Sequence, residues 1–344
     1  MAARHILLTG ASSGIGHEAA RVLRLEGHAL TLPCRNQTTG AATLERLKAA
    51  LPTGGSGPEL SPTLEAPVCD LADLASVERC AAGLLERDRP IDTLVLNAGL
   101  QEAGAPEPRR SAQGYELTIA VNHLAHLALC LRLLPLLERS RSPRIVITSS
   151  EVHDPATAGG RVGLPAGLAG LEGLRGGAGF SMVDGGSPFN AEKAYKDSKL
   201  CNLLFARELA ERLRRRGTPM PVLAWSPGLV IPRGEGGFFR YSRRHNPWGQ
   251  KIFALVARDL LRITVAPEKA GIRLAALATG VEQGDQGAGF HYGVNRLLGP
   301  GRLRFEPAEP SAEARDDALA RSLWEVSTAL IGLEEKLPAA TDRG

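Results

Sequence analysis

Tyr195 and Lys199 are a phenol and an amine four positions apart in a run of helical period, so both lie on one helix face and within reach of each other. Near neutral pH a phenol is too weak an acid to give up a proton readily unless a neighbouring cation stabilises its phenolate. Lys199 supplies that cation. An exposed helix couple would look the same in isolation, so the weight falls on what accompanies the pair. A hydroxyl cluster, Thr148-Ser149-Ser150, closes a candidate strand. The run Thr9-Gly10-Ala11-Ser12-Ser13-Gly14-Ile15-Gly16 joins the first candidate strand to a helical pattern. Glycine is needed where backbone approaches a pyrophosphate closely, and the helix N-terminus beyond it offers free N–H groups and a positive dipole end. Between a strand and a helix, such a cluster reads as a dinucleotide loop more readily than as a simple tight turn.

A scaffold must bring these separated residues together. Short apolar runs at 5–9, 29–33, 66–69, 93–96, 144–148, 221–225 and 289–292 alternate with helical patterns at 18–25, 74–86, 122–137 and 194–214. Most of the short runs lack polar alternation, which implies strands buried on both faces beneath helices. Joined by right-handed crossovers, they predict an α/β fold: a Rossmann-type doubly wound parallel sheet of about seven strands with helices on both faces.

Composition narrows the function classes. The 344 residues are 43% hydrophobic and 23% charged, enough apolar mass for a packed core and not the composition of a disordered or fibrous chain. Cys34, Cys69, Cys80, Cys130 and Cys201 have no spacing that closes a disulfide framework or grips a metal, which points to a reducing, cytoplasmic compartment. A formal charge of +4 is too small to indicate nucleic acid. The opening apolar stretch is too short for a signal-peptide core. The best membrane-span candidate, 124–137, is interrupted by His126, Arg132 and Pro135, so any membrane contact is expected to be peripheral. The chain reads as one domain, 1–344, with three additions: an insertion at 151–194 holding 11 glycines, a lid at 229–265 and a C-terminal helical tail at 311–336. A loop as long as the insertion is usually functional or disordered. The glycine- and proline-rich stretch 54–62 reads as a surface connection.

The second strand ends in Cys34-Arg35-Asn36, where an NAD enzyme usually carries an acidic residue for the ribose hydroxyls. A guanidinium there attracts a 2′-phosphate that a carboxylate would repel, so Arg35 points to NADPH. The glycine spacing of residues 10–16 is that of the short-chain dehydrogenase/reductase family, which the sequence resembles. The resemblance extends to Asp70-Leu71 after the third strand, expected by the adenine, to Asn97-Ala98-Gly99 closing the fourth, and to Pro227-Gly228 beside the nicotinamide. It implies that Gly10, Ser12, Ser13, Gly14, Ile15, Gly16, Arg35 and Asn36 also hold the cofactor. By the same resemblance Tyr195 is the general acid/base and Lys199 also binds the nicotinamide ribose. Ser150 polarises the reacting group, and Asn122 supports a proton relay through water. The threonine that normally follows the Pro-Gly turn is absent; the chain reads Leu229-Val230-Ile231-Pro232.

Within the family, the run 193–202 and the long insertion with Gly179-Phe180 and Pro188-Phe189 look like the light-dependent protochlorophyllide reductases. The C-terminal 323–333 is similar too, although retinol dehydrogenases share it. Leu229 and Leu96 stand where the pigment reductases carry cysteines, and Ser149-Ser150-Glu151-Val152-His153 is closer to the retinol enzymes. Cys201 matches the pigment branch, but its position alone suits a small buried helix residue. The expected activity is NADPH-dependent reduction of a large hydrophobic small molecule, tetrapyrrole or retinoid-like. The alternatives are a dark carbonyl reductase and a catalytically silent NADPH-binding sensor or assembly factor; retention of all four catalytic-type residues argues against the sensor. A homo-oligomer is compatible with either enzyme. Phe238, Phe239, Tyr241 and Trp248 fall within 11 residues alongside Arg240, Arg243 and Arg244. This lid run could cover a conjugated, carboxylate-bearing substrate or dock on an anionic membrane surface. Equally, it could cap a core helix over 251–263 that buries Phe239 and Trp248.

Overall fold

In the computed structural model, residues 2–50, 63–231, 240–245, 247–255, 257, 264–281, 287–299 and 302–337 are described. The surface connection at 54–62, and Phe238 and Phe239 of the lid, lie outside them. Eight strands form one sheet: β1 (His5–Leu8), β2 (Ala29–Thr31), β3 (Leu64–Glu65), β4 (Thr93–Leu96), β5 (Arg144–Thr148), β6 (Pro221–Ser226), β7 (Gly289–Gly299) and β8 (Arg302–Pro307). Their order is β3-β2-β1-β4-β5-β6-β7-β8, parallel as far as β7. The eighth strand, antiparallel to β7, adds to the expected seven. The expected third strand is shorter and earlier, with only an isolated bridge between Cys34 and Val68 where the run 66–69 predicts pairing.

Burial on both faces is visible residue by residue. Leu7, Leu94, Leu96, Ile145, Ile147, Val222 and Ala224 enter one core, while Ile6, Leu8, Val95, Val146, Leu223 and Trp225 enter the other. The first core lies under α3 (Leu74–Glu86), α4 (Leu117–Glu138), α5 (Ala191–Arg215) and α9 (Asp317–Leu330). The second lies under α1 (Gly14–Leu25) and α8 (Pro267–Thr279), while α2 (Gln37–Ala49) flanks α1. A β-carbon on Gly271 would stand 2.3 Å from that of Glu18, so this glycine lets α8 press directly on α1 and fix the glycine loop beside the sheet. Helix α4 is long and apolar enough to cross a bilayer despite His126, Arg132 and Pro135, yet 94% of its most apolar window is buried, which makes it the core helix of this fold.

The glycine-rich insertion is tied to α5. Lys196 donates to the carbonyls of Gly160, Val162 and Leu164 at 2.5–2.9 Å. Lys193 reaches the Gly167 carbonyl and the Asp197 carboxylate at 2.8 and 2.7 Å, and Asp197 accepts from the Gly167 N–H. Asparagine 190 caps the helix by accepting from the Lys193 N–H. The polar residues flanking Tyr195 therefore clamp the insertion to the helix that carries it.

Candidate active site

The C-terminal ends of β1, β4, β5 and β6 open into one cleft of about 2120 Å³, lined among others by Gly10, Arg35, Asp70, Ser150, Tyr195 and Lys199. Ligands of open α/β sheets bind at this edge. At the glycine loop, Gly10 has φ +79°, and a β-carbon on it would meet the Ala98 backbone at 2.9 Å. One on Gly16 would stand 2.3 Å from the Gly10 carbonyl oxygen. The bare backbone that results, followed directly by α1, fits a pyrophosphate. Ser12, Ser13, Gly14 and Ile15 line the same wall, and Leu71 lies beside Asp70. Asp70 itself accepts from the Ala72 N–H, holding that turn.

Arg35 is exposed and faces the cleft. Asn36 is committed locally: its side chain accepts from the Thr39 N–H at 2.8 Å and caps α2. Asn97 acts as a latch, donating to the Thr9 carbonyl and accepting from the Thr148 hydroxyl, while Thr9 Oγ1 accepts from the N–H groups of Asn97 and Ala98. The ends of β1, β4 and β5 are thereby locked together. Arg46, not singled out by sequence reasoning, reaches back from α2 to the Ser12 carbonyl at 3.0 Å and also lines the cleft.

The three hydroxyls at the end of β5 separate cleanly. Thr148 Oγ1 accepts from the indole N–H of Trp225 at 2.9 Å, and Ser149 Oγ donates to the Lys199 carbonyl at 2.8 Å. Both are buried; they too line the cleft, but their hydroxyls are committed to the scaffold. Ser150 is half-buried, faces the cleft and hydrogen-bonds with Tyr195. Burial pushes the Tyr195 phenol up, opposed by that bond, so the phenol stays protonated at neutral pH. The Lys199 ammonium lies 5.4 Å from the Tyr195 ring centroid and donates to the Thr148 carbonyl at 3.2 Å. Burial holds its pKa down to about 8. Gly99 opens the space above: a β-carbon there would lie 3.3 Å from Asn122 Oδ1 and 3.7 Å from Lys199 Nζ.

Asn122 sits in a single π-helical turn, Ala120–Leu124, inside α4. Such turns put an extra residue into the helix and often mark functional sites. Its side chain bonds both backbone groups of Leu100 and the Ser198 hydroxyl, at 2.9–3.0 Å. Its carbonyl bonds with His126 Nδ1 at 3.1 Å. Asn122 thus links α4, α5 and the β4 exit, and does not line the cleft as Tyr195, Lys199 and Ser150 do. Cys201 is fully buried in the first core, as expected of a small packing residue.

Beyond β6, Gly228 has φ +78°, and Leu229 and Val230 pair with Val265. Two short helices, α6 (Arg240–His245) and α7 (Pro247–Ala254), follow. Tyr241 packs on Leu100, Leu117 and Val121. Trp248 is 75% exposed, with Ile252 and Leu255 at 60% and 59%, which overturns a core helix burying Trp248.

Residues 4–161 match the family model for short chain dehydrogenases. The chain is 32% identical over 335 residues to protochlorophyllide reductase from Avena sativa, covering 95% of this chain and 99% of that protein. Protochlorophyllide reductase A from Oryza sativa subsp. japonica is also 32% identical, with 95% of this chain and 80% of that protein covered. The chain belongs to the short-chain dehydrogenase/reductase family. As a member it is an oxidoreductase of Rossmann-type α/β fold. Among solved structures, an uncharacterized protein from Mycobacterium Paratuberculosis matches with a TM-score of 0.65 and 27% identity over 97% of this chain and 95% of that one. RhlG from Pseudomonas aeruginosa, solved as an NADP active-site complex, shares the fold at a TM-score of 0.58 and 24% identity over 86% of this chain and 94% of that one.

Proposed function

We propose that this oxidoreductase uses NADPH to reduce a large, conjugated hydrophobic substrate, and that the substrate is protochlorophyllide, reduced to chlorophyllide in the light. The observation that carries the reading is the convergence of Ser150, Tyr195 and Lys199 in a cleft of about 2120 Å³, wide enough for a dinucleotide and a second large molecule. The relatives at 32% identity support the pigment.

NADPH supplies the hydride when bound. Gly10 and Gly16 leave backbone bare for its pyrophosphate, Asp70 and Leu71 flank the adenine, and Arg35 takes the 2′-phosphate. Lys199 binds the nicotinamide ribose, and Gly228 turns the chain beside the ring. Tyr195 gives its phenolic proton to the substrate. Ser150 holds the phenol in line, and the Lys199 charge stabilises the phenolate left behind. Asn122 fixes the π turn that keeps α4 against α5, a positioning role. On the lid, the exposed Trp248, Ile252 and Leu255 beside Lys251 suit peripheral contact with an anionic bilayer.

The Ser150–Tyr195 pair would equally polarise a carbonyl, which favours retinal reduction in the dark as the second reading. Incubation with NADPH and protochlorophyllide, in darkness and in light, decides between them. The expected result is the red-shifted chlorophyllide band only after illumination. Conversion of retinal in darkness with no pigment reduction would replace the first reading with the second.

A further inference from the structure

The cleft carries a second charged station, around Tyr241, which packs on Leu100, Leu117 and Val121. Three guanidinium groups surround the Tyr241 ring: Arg240 at 4.3 Å from its centroid, Arg109 at 4.6 Å and Arg244 at 5.6 Å. Arg240 also donates to the Tyr241 hydroxyl at 2.5 Å. Cation–π attraction holds such an arrangement but neutralises none of its charge. Among the described residues the cluster has one ion pair, Arg109 with the buried Glu102 at 2.9 Å; Arg240 and Arg244 have none. The Arg240 Nε is buried and has no hydrogen-bond acceptor among the described residues. Like charges packed this closely, with a donor left over, call for an anion.

The station is held rigidly. The Arg109 carbonyl accepts from the Leu117 N–H in the first turn of α4, and Ser242 donates to the Gln101 carbonyl, tying the lid helix to the same wall. Arg109, Arg240 and Tyr241 line the cleft that holds Tyr195. The dinucleotide phosphates have their own partners at the glycine loop and Arg35, which leaves this anion to the other ligand.

We infer that Arg109 and Arg240, braced on Tyr241, read a carboxylate on the hydrophobic substrate, with the Tyr241 ring lying against its conjugated surface. The guanidinium fork suits a carboxylate, which it can bind bidentately. The inference rests on the proposed reading that a large hydrophobic substrate shares the cleft with NADPH, and it narrows that substrate to an acid.

The test measures binding, not turnover. Full-length protein with NADPH is titrated with two pairs of probes, each an acid and a neutral counterpart: protochlorophyllide with its methyl ester, and retinoate with retinal. The expected result is that the acid of at least one pair binds more tightly than its neutral partner, by about tenfold to a hundredfold. Arg240→Gln and Arg109→Gln each remove most of that preference, Arg240→Lys restores part of it, and NADPH affinity stays unchanged, which also shows that the variants fold. Equal affinity for acid and neutral probe in the wild type, a preference that survives both glutamine variants, a matching loss of NADPH affinity, or no binding of either pair would each overturn the inference. Acid-selective binding of retinoate without pigment binding would keep the carboxylate station while refuting the pigment as substrate.

Discussion

The glycine-loop part of the cleft and its arginine station are built by opposite means. The part proposed for the dinucleotide is made of missing side chains: Gly10, Gly16 and Gly99 bare the backbone, and the Thr9–Asn97–Thr148 latch locks the strand ends around them. The part proposed for the substrate is made of large side chains on helices and loops, with Arg109 and Arg240 stacked on Tyr241 and the insertion clamped to α5 by Lys193 and Lys196. The first requires a particular backbone path, and so accommodates a cofactor common to many enzymes. The second is set by side-chain chemistry, and that is where one substrate is told from another. Between them lies the Ser150–Tyr195–Lys199 group.

This contrast makes predictions that can break it. The largest effect belongs to the shared centre: Tyr195→Phe should lower turnover by about 10²- to 10⁴-fold with NADPH binding intact, as measured by steady-state kinetics and cofactor fluorescence. Loss of NADPH binding in the same variant would mean that the phenol serves cofactor binding instead. Next, Arg35→Asp should weaken NADPH by about tenfold to a hundredfold while changing NADH little, read from the two dissociation constants. Equal losses would remove Arg35 from the 2′-phosphate.

A pH profile sharpens the centre further. Burial lowers the Lys199 pKa to about 8, so its charge is present below that pH and lost above it. The value of kcat/KM, which reports the free enzyme, should fall above pH 8 by up to about tenfold per unit. Lys199→Arg should move that alkaline limb upward. A limb unmoved by arginine would belong to another group. The smallest effect is in the part proposed for the substrate. Lys196→Met leaves the carbonyls of Gly160, Val162 and Leu164 without their shared donor, and should cost about 1–3 kcal/mol in chemical denaturation. It should also expose 157–165 to limited proteolysis with Arg35-dependent NADPH selectivity preserved.

The same contrast explains what the sequence made legible. Residues 93–96 and 144–148 are apolar runs bounded by polar ones, and β4 and β5 begin and end there. The glycine loop and the Tyr195–Lys199 pair were readable because each requires particular residue types at fixed spacing. Strand β8 was missed because Arg302-Leu303-Arg304-Phe305-Glu306 alternates, as a half-exposed edge strand does, where the other strands are continuous runs. The clamp on the insertion left no local trace: Lys196 is paired to backbone carbonyls 32–36 residues away, and a carbonyl has no signature in a sequence. The arginine station was visible only in part. Arg240 and Arg244 stand out in an aromatic, basic run, but Arg109 reaches Tyr241 from a segment more than 130 positions earlier.

The most direct measurement is a crystal structure of the protein with NADP+ and protochlorophyllide bound together. The expected complex has the 2′-phosphate at Arg35, the pyrophosphate over Gly10 to Gly16, the reacting ring bond beside the Tyr195 hydroxyl, and the pigment carboxylate between Arg109 and Arg240. A pyrophosphate seated at Arg109 and Arg240, or a pigment bound away from Tyr195, would contradict it.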